Sequence, residues 1–174
     1  MESDKVIESG KVMLVRAKGE EQVLIDEKET KISGFISKVL ADRKKNSDPE
    51  MEVEVGTDIT IETLTKVAKF CEEYFKHPME QIPKPLLSND LSDVVSKFYF
   101  DFQNVEIKEI ESLYTAAVKL EIQPLIDLIS ASIATTLLGK SIKEIRDEYE
   151  IPDDLDNEEK EEANEEGKWP DEAI

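Results

Sequence analysis

Runs that favour an extended chain are confined to residues 12–55 of this sequence, and every apolar pattern after them has the spacing of a helix. VMLVR (12–16) and QVLI (22–25) are rich in strand-forming residues and flank a turn at Lys18-Gly19-Glu20, which predicts a hairpin. MEVEV (51–55) alternates and predicts a third short strand. Between them Ile32, Phe35, Ile36, Val39 and Leu40 form one helical stripe, and RKKNSDPE (43–50) is polar, contains proline and reads as a loop. Strands first and helices afterwards, rather than in alternation, predict the α+β class: a small three-stranded sheet packed with helices.

The helices follow in order. Asp58 or Thr60 is placed to cap a helix whose stripe is Leu64, Val67, Ala68, Cys71 and Phe75. HPMEQIPKPLLS (77–88), with its three prolines, reads as a connector. A helix is expected from about Leu91 to Phe102. Another, after Asn104, carries Ile107, Ile110, Leu113, Tyr114, Ala117 and Leu120. EIQPLID then makes a tight junction, with Pro124 in the first turn of the next helix, where its missing N–H is not needed. Leu125, Leu128, Ile129, Ser132, Ile133 and Leu137 give that helix its stripe. The aromatics Phe98, Tyr99, Phe100 and Phe102 exceed what one helix face buries, which leaves part of the cluster for an interface.

The character changes at residue 139. LLGKSIKEIRDEYEIPDD (137–154) contains the Gly-Lys-Ser end of a phosphate-binding loop, G-x-x-x-x-G-K-S/T, but Ala134 stands where the first glycine belongs. A junction accounts for every residue: Gly139 stops one helix and Ser141 with Glu144 forms a capping box that opens the next. The chain therefore divides into a core, 1–138, and a helical extension with an acidic tail, 139–174. From Asp153 to Ile174 there are eleven acids and two lysines, a net of −9. Ile145, Tyr149, Ile151, Leu155 and Trp169 nevertheless recur in this part. A large apolar side chain gains about 1.5–3 kcal/mol on burial, whereas ordering costs on the order of 1–2 kcal/mol per backbone residue. An arm this short and charged is near balance alone and gains from a second surface. The competing expectation is that these residues pack back onto the parent domain.

The whole chain of 174 residues has a net charge of −19, which repels nucleic acids, nucleotides and anionic lipid. Its hydrophobic fraction of 39% is too high for wholesale disorder. The longest uncharged apolar run, Leu128 to Leu138, is too short to span a bilayer, so neither nucleic acid nor membrane is expected as a partner. Cys71 is the only cysteine and MESDKVIESG carries no hydrophobic targeting core, which together predict a cytoplasmic or nuclear location. Cys71 sits on an apolar stripe and reads as an inert buried thiol. With His77 the only histidine, no metal site, Cys-His pair or Ser-His-Asp arrangement has much to build on, and no cofactor, metal or catalytic residue is assigned. Asp154, Asp156, Glu158 and Glu165 fall at positions 1, 3, 5 and 12 of a calcium-type loop, but Glu159 occupies position 6, where the turn needs glycine.

AAVKLEIQPLID (116–127), LLGKSIKEIRDEYEI (137–151), DDLDNEEKEE (153–162) and GKW (167–169), together with GEEQVLID (19–26) and KVAKFCEEYFKH (66–77), resemble the Skp family, the adaptors of SCF (Skp–cullin–F-box) ubiquitin ligases. The resemblance covers nearly the whole chain. It implies a BTB/POZ fold with a C-terminal helical extension and a non-catalytic adaptor that bridges an F-box protein to a cullin. The positions it matches to the F-box-binding region are Leu120, Leu125, Ile126, Leu128, Ile129, Ile142, Ile145, Tyr149, Ile151, Leu155 and Trp169. Those it turns toward the cullin are Phe98, Phe102, Val118 and Lys119.

The sequence also departs from the family. An Asn-Tyr pair is replaced by Val118-Lys119, which removes aromatic area and introduces an ammonium that a partner must desolvate. Phe98 stands where the family has tryptophan, and Asn157 where some members carry a modifiable proline, so that modification is not expected. BTB folds often dimerise, and a weak homodimer is expected when no partner is present. The alternatives are an elongin-C-like or other BTB adaptor, or an acidic module for basic proteins, neither of which engages a standard cullin. Residues 139–169 argue against an elongin-C-like chain, which ends near the position of Ile122.

Overall fold

The computed structural model describes residues 11–15, 22–46, 52–56, 58–86, 88, 90–138, 140–152 and 154–166. The hairpin turn at 18–20, the stop at Gly139 and the anchor Trp169 lie outside them. The chain divides into two compact units, 1–136 and 137–174.

In the first unit, among the described residues, the sheet has three strands: β1 (Lys11–Val15), β2 (Gln22–Asp26) and β3 (Glu52–Glu54), in the order β2-β1-β3. β1 runs antiparallel to β2, with Val12 opposite Ile25, and parallel to β3, with Leu14 beside Val53. Period two sends Val12, Ile25 and Val53 to one face, where all three are buried, while Leu24 is left exposed on the other.

Ser33 caps α1 (Gly34–Lys45), its hydroxyl accepting from the Ile36 N–H at 3.1 Å. Ile36 and Leu40 are buried and Phe35 and Val39 half-buried, as the stripe predicts, and Arg43 to Lys45 extend the helix into the expected loop, where cations suit a helix C-terminus. Thr60, not Asp58, caps α2 (Ile61–Lys76), accepting from the Thr63 N–H at 3.2 Å. α2 buries Leu64, Val67 and Cys71 as expected. Its stripe then turns to Phe70, which is wholly buried, and leaves Phe75 exposed: from Val67, the positions three, four and seven residues on are Phe70, Cys71 and Tyr74.

The single helix expected from Leu91 to Phe102 is two pieces, a 3-10 turn at Leu91–Asp93 and α3 (Lys97–Gln103). Asp90 caps the first, accepting from the Ser92 N–H at 2.9 Å. Ser96 adopts the extended conformation of an N-cap for the second, after a β-branched Val94-Val95 pair that favours helix little. Most of the aromatic cluster is taken up by the core, with Phe98, Phe100 and Phe102 left half-buried. Tyr99 is buried, and Phe98, Phe100 and Phe102 pack against the core, with Phe70 in ring contact with Tyr74, Tyr99 and Phe102 at 6.0, 5.7 and 5.5 Å.

α4 (Ile107–Lys119) and α5 (Gln123–Leu137) are joined by the junction the sequence suggests. Glu121, at φ 52°, closes α4: its N–H bonds to the Val118 carbonyl and the Ile122 N–H to the Ala117 carbonyl, satisfying two of the last carbonyls of the helix. The next carbonyls in line are taken by the start of α1. The Gly34 and Phe35 N–H groups donate to the Glu121 and Leu120 carbonyls at 3.1 and 3.4 Å, and the Ser33 hydroxyl also donates to Leu120. Glycine at 34 suits this close approach: a Cβ there would lie 3.1 Å from the Glu121 Cβ and would displace the Glu121 carboxylate, whose Oε2 is 2.5 Å away.

Candidate protein-interaction surfaces

The second unit holds α6 (Ile142–Glu148) and α7 (Asn157–Glu166). Seven residues make a poor helix unless both ends are closed. Ser141 Oγ accepts from the Glu144 N–H at 3.3 Å while Glu144 Oε2 accepts from the Ser141 N–H at 2.8 Å, the reciprocal box expected from the sequence. At the other end Glu150 takes φ 52° and the Ile151 N–H reaches the Arg146 carbonyl at 2.9 Å. Lys140 forms an ion pair with Glu148 along the outside. α7 opens on a second reciprocal pair, Asp156 and Glu159, at 2.9 and 3.0 Å. Glu158 to Glu165 therefore lie on a helix and do not wrap a cation as a calcium-type loop does.

The α6 cap carries a pH dependence. The Glu144 carboxyl is held below its usual value of 4.5, chiefly by the Ser141 N–H and then by the Ser141 hydroxyl. A carboxylate lowered in the folded state stabilises fully above its unfolded pKa and loses that contribution as the pH falls through the folded one. The protection of amides 142–148, measured as exchange relative to the intrinsic rate at each pH, is expected to fall as the pH drops below 4.5. Glu144→Gln should remove this step, whereas Ser141→Ala keeps the backbone N–H, should leave most of the step and should cost the helix about 0.5–2 kcal/mol.

The structure sorts the F-box-matching positions into two groups. Leu120, Leu125, Leu128 and Ile129 are 0–1% exposed in the core of the first unit. They have no area to offer a partner, and their place in the expected surface is corrected to that of core residues holding α4 and α5. Ile126 is half-buried against the same core. In the second unit, by contrast, Ile142, Ile151 and Leu155 are exposed and Ile145 and Tyr149 half-buried; Trp169 lies outside the described residues. Helical periodicity gave both groups the same signature, because it reports a face and not what covers it.

The arrangement around Ile151 is informative. The closures of α4 and α6 are alike in sequence, Leu-Glu-Ile-Gln-Pro at 120–124 and Tyr-Glu-Ile-Pro at 149–152, and both place glutamate in the left-handed conformation. The residue that follows usually packs an apolar side chain back on its helix. Ile122 does so and is wholly buried; Ile151, in the same position, is 48% exposed.

The four positions matched to the cullin also differ among themselves. Phe98 and Phe102 are half-buried and in ring contact with one another at 5.9 Å. Val118 is exposed on α4. Lys119 is no free ammonium: it is ion-paired with Asp58, a partner sixty-one residues away that no local pattern announces.

Neither lone reactive side chain forms a site. Burial pushes the Cys71 thiol up to about 12, where it is un-ionised and inert. His77 Nδ1 lies 2.9 Å from Glu73 on the surface, and the His77 carbonyl accepts from the Tyr99 hydroxyl at 2.6 Å inside a cleft of about 380 Å³. No single helix among the described residues is long and apolar enough to cross a membrane.

A small mixed sheet packed with helices, continued by short capped helices with uncovered apolar side chains, defines a BTB/POZ-like protein with a C-terminal extension. The model of the Skp1 family, dimerisation domain, matches residues 123–170. The chain is 32% identical over 169 residues, 95% of its length and 97% of the relative's, to the S-phase kinase-associated protein 1 homolog of Tetrahymena thermophila. It is 30% identical over 112 residues, 64% of its length and 68% of the relative's, to the SCF ubiquitin ligase complex protein SKP1a of Dictyostelium discoideum. It is also 32% identical over 106 residues, 61% of its length and 64% of the relative's, to SKP1-like protein 11 of Arabidopsis thaliana. The chain belongs to the Skp1 family.

Proposed function

We propose that this chain is the adaptor of an SCF-type ubiquitin ligase, a non-catalytic linker that holds an F-box substrate receptor on its C-terminal extension and a cullin on its BTB/POZ-like domain. Family membership supports the role, as does the name of the Dictyostelium relative, which places that protein in an SCF complex. The observation that carries the F-box assignment is the exposure of Ile142 at the capped start of α6 and of Ile151 and Leu155 in the segment that joins α6 to the capped start of α7. Ordered backbone with uncovered apolar anchors suits docking between helices of a partner, the acids of α7 forming the rim. The adaptor contributes by position: tethering the receptor near the ubiquitin-loading end of the scaffold raises the effective concentration of substrate there. It would act in the cytoplasm or nucleus.

Pull-down of a recombinant F-box peptide by the full chain and by its 1–138 form tests the assignment. The shorter form is expected to lose binding, and equal capture by both would remove the role given to the extension. Apolar docking should also survive about 1 M salt, where the Debye length is about 3 Å, whereas binding by the acidic surface alone should collapse.

A further inference from the structure

α4 carries an uncovered apolar line. Ile107, Tyr114 and Val118 are three of the five exposed large hydrophobics among the described residues of the first unit. Spacings of seven and four residues put them on one face of the helix, opposite the buried Leu113, Ala116 and Ala117. Lys119 follows Val118 directly, and a free ammonium is a compact, strongly hydrated charge. Here it is drawn aside by Asp58, whose carboxyl is held below its usual range chiefly by the Lys119 hydrogen bond. Gly56, at φ +87°, makes room for the pair: a Cβ there would lie 2.6 Å from Lys119 Nζ and 2.8 Å from Asp58 Oδ1.

An ion pair this exposed adds little to stability, so its consequence is where it puts the ammonium. In a chain of net charge −19, few charges border the line: Lys119 pairs with Asp58, and Lys108 offsets one of two exposed acids, Glu106 beside Ile107 and Glu111 between Ile107 and Tyr114. A strongly charged partner finds little matching field here, whereas an apolar one finds Tyr114 and Val118 side by side on the helix, with Ile107 beyond Glu111. We propose that Asp58 is a positioning residue for partner choice, holding Lys119 aside so that Ile107, Tyr114 and Val118 can receive an apolar, uncharged helical face of the cullin. The proposal rests on the reading of α4 as the cullin-facing surface and deepens it. Val118-Lys119, which in the sequence reads as a charge placed in the contact, becomes an apolar contact whose neighbouring charge is already paired.

The test is a double-mutant cycle on the full chain, with a cullin N-terminal domain from the same genome as probe and an F-box peptide as the parallel readout. Asp58→Asn frees the ammonium and is expected to weaken cullin binding on the order of tenfold. Adding Lys119→Met to Asp58→Asn should restore binding to the level of Lys119→Met alone, and F-box affinity should not move. Asp58→Asn binding like the parent, or the double variant staying as weak as Asp58→Asn, would overturn the proposal. Val118→Glu separates it from the reading beneath: if this variant loses cullin and Asp58→Asn does not, only the role of Asp58 falls. If Val118→Glu binds like the parent, or the parent does not bind the probe, the cullin-facing reading falls and the proposal with it. Loss of both cullin and F-box binding in Asp58→Asn and in Asp58→Ser would make the residue structural and equally overturn it.

Discussion

The double substitution Ile142→Glu, Ile151→Lys is expected to lower affinity for an F-box peptide by a factor on the order of 10² to 10⁴, since each large apolar side chain covered by the partner contributes about 1.5–3 kcal/mol. The folded chain should barely notice. Ile142 is 69% exposed and Ile151 48% exposed, so neither substitution opens a cavity or buries a charge. The charges are also matched to the helix, an acid in the first turn of α6 and a base just past its end, where the macrodipole favours each. Titration calorimetry with the full chain gives the affinity, and thermal unfolding of the same sample gives the control. Binding within about threefold of the parent, at an unchanged melting temperature, would mean that the partner does not cover these side chains.

Ile151 is the more discriminating of the two because the molecule contains its own comparison. The α4 closure satisfies its carbonyls, places Glu121 in a left-handed conformation and buries Ile122 completely. The α6 closure repeats the backbone and exposes the corresponding isoleucine. Left-handed glutamate costs roughly 1–2 kcal/mol relative to glycine. That cost at Glu121 accompanies a buried Ile122; at Glu150 it accompanies an isoleucine that nothing in the second unit fully covers.

The sequence speaks most clearly where the determining interactions are local. The Ser141–Glu144 box, the Thr60 cap, the strand-forming runs of β1 and β2, the alternation in β3 and the stripe of α1 all involve residues within a turn or two of each other, and each has the predicted structure. Long-range facts are less legible. Leu120, Leu125, Leu128 and Ile129 carry the same helical signature as Ile142 and Ile145, yet the first four face the core. The aromatics at 98–102 looked too many for one helix because Phe70, which shares their burial, lies on another. Asp58 looked like a helix cap until Lys119 proved to hold it. Both α4 and α6 also end on glutamate rather than glycine in the left-handed position, so a search for glycine stops would pass over them.

The facing of α2 gives the largest expected effect on stability. Its sequence stripe runs through Phe75, but the structure turns Phe75 outward, 53% exposed, and buries Phe70 among Tyr74, Tyr99 and Phe102. Phe70→Ala should therefore remove the transfer energy of a whole ring, leave a cavity and break three ring contacts, for about 3–5 kcal/mol in all. Against a typical total stability of about 5–15 kcal/mol, that is between about a fifth and the whole of it. Phe75→Ala should cost no more than about 0.5 kcal/mol, the ordinary range for a surface substitution. Urea unfolding followed by circular dichroism measures both. The two variants differ only in which face of one helix loses a phenyl ring, so helix propensity changes almost equally in each and the difference reports burial alone. Equal losses would mean that α2 presents Phe75 to the core, and the aromatic packing that joins α2 to α3 would have to be redrawn around it.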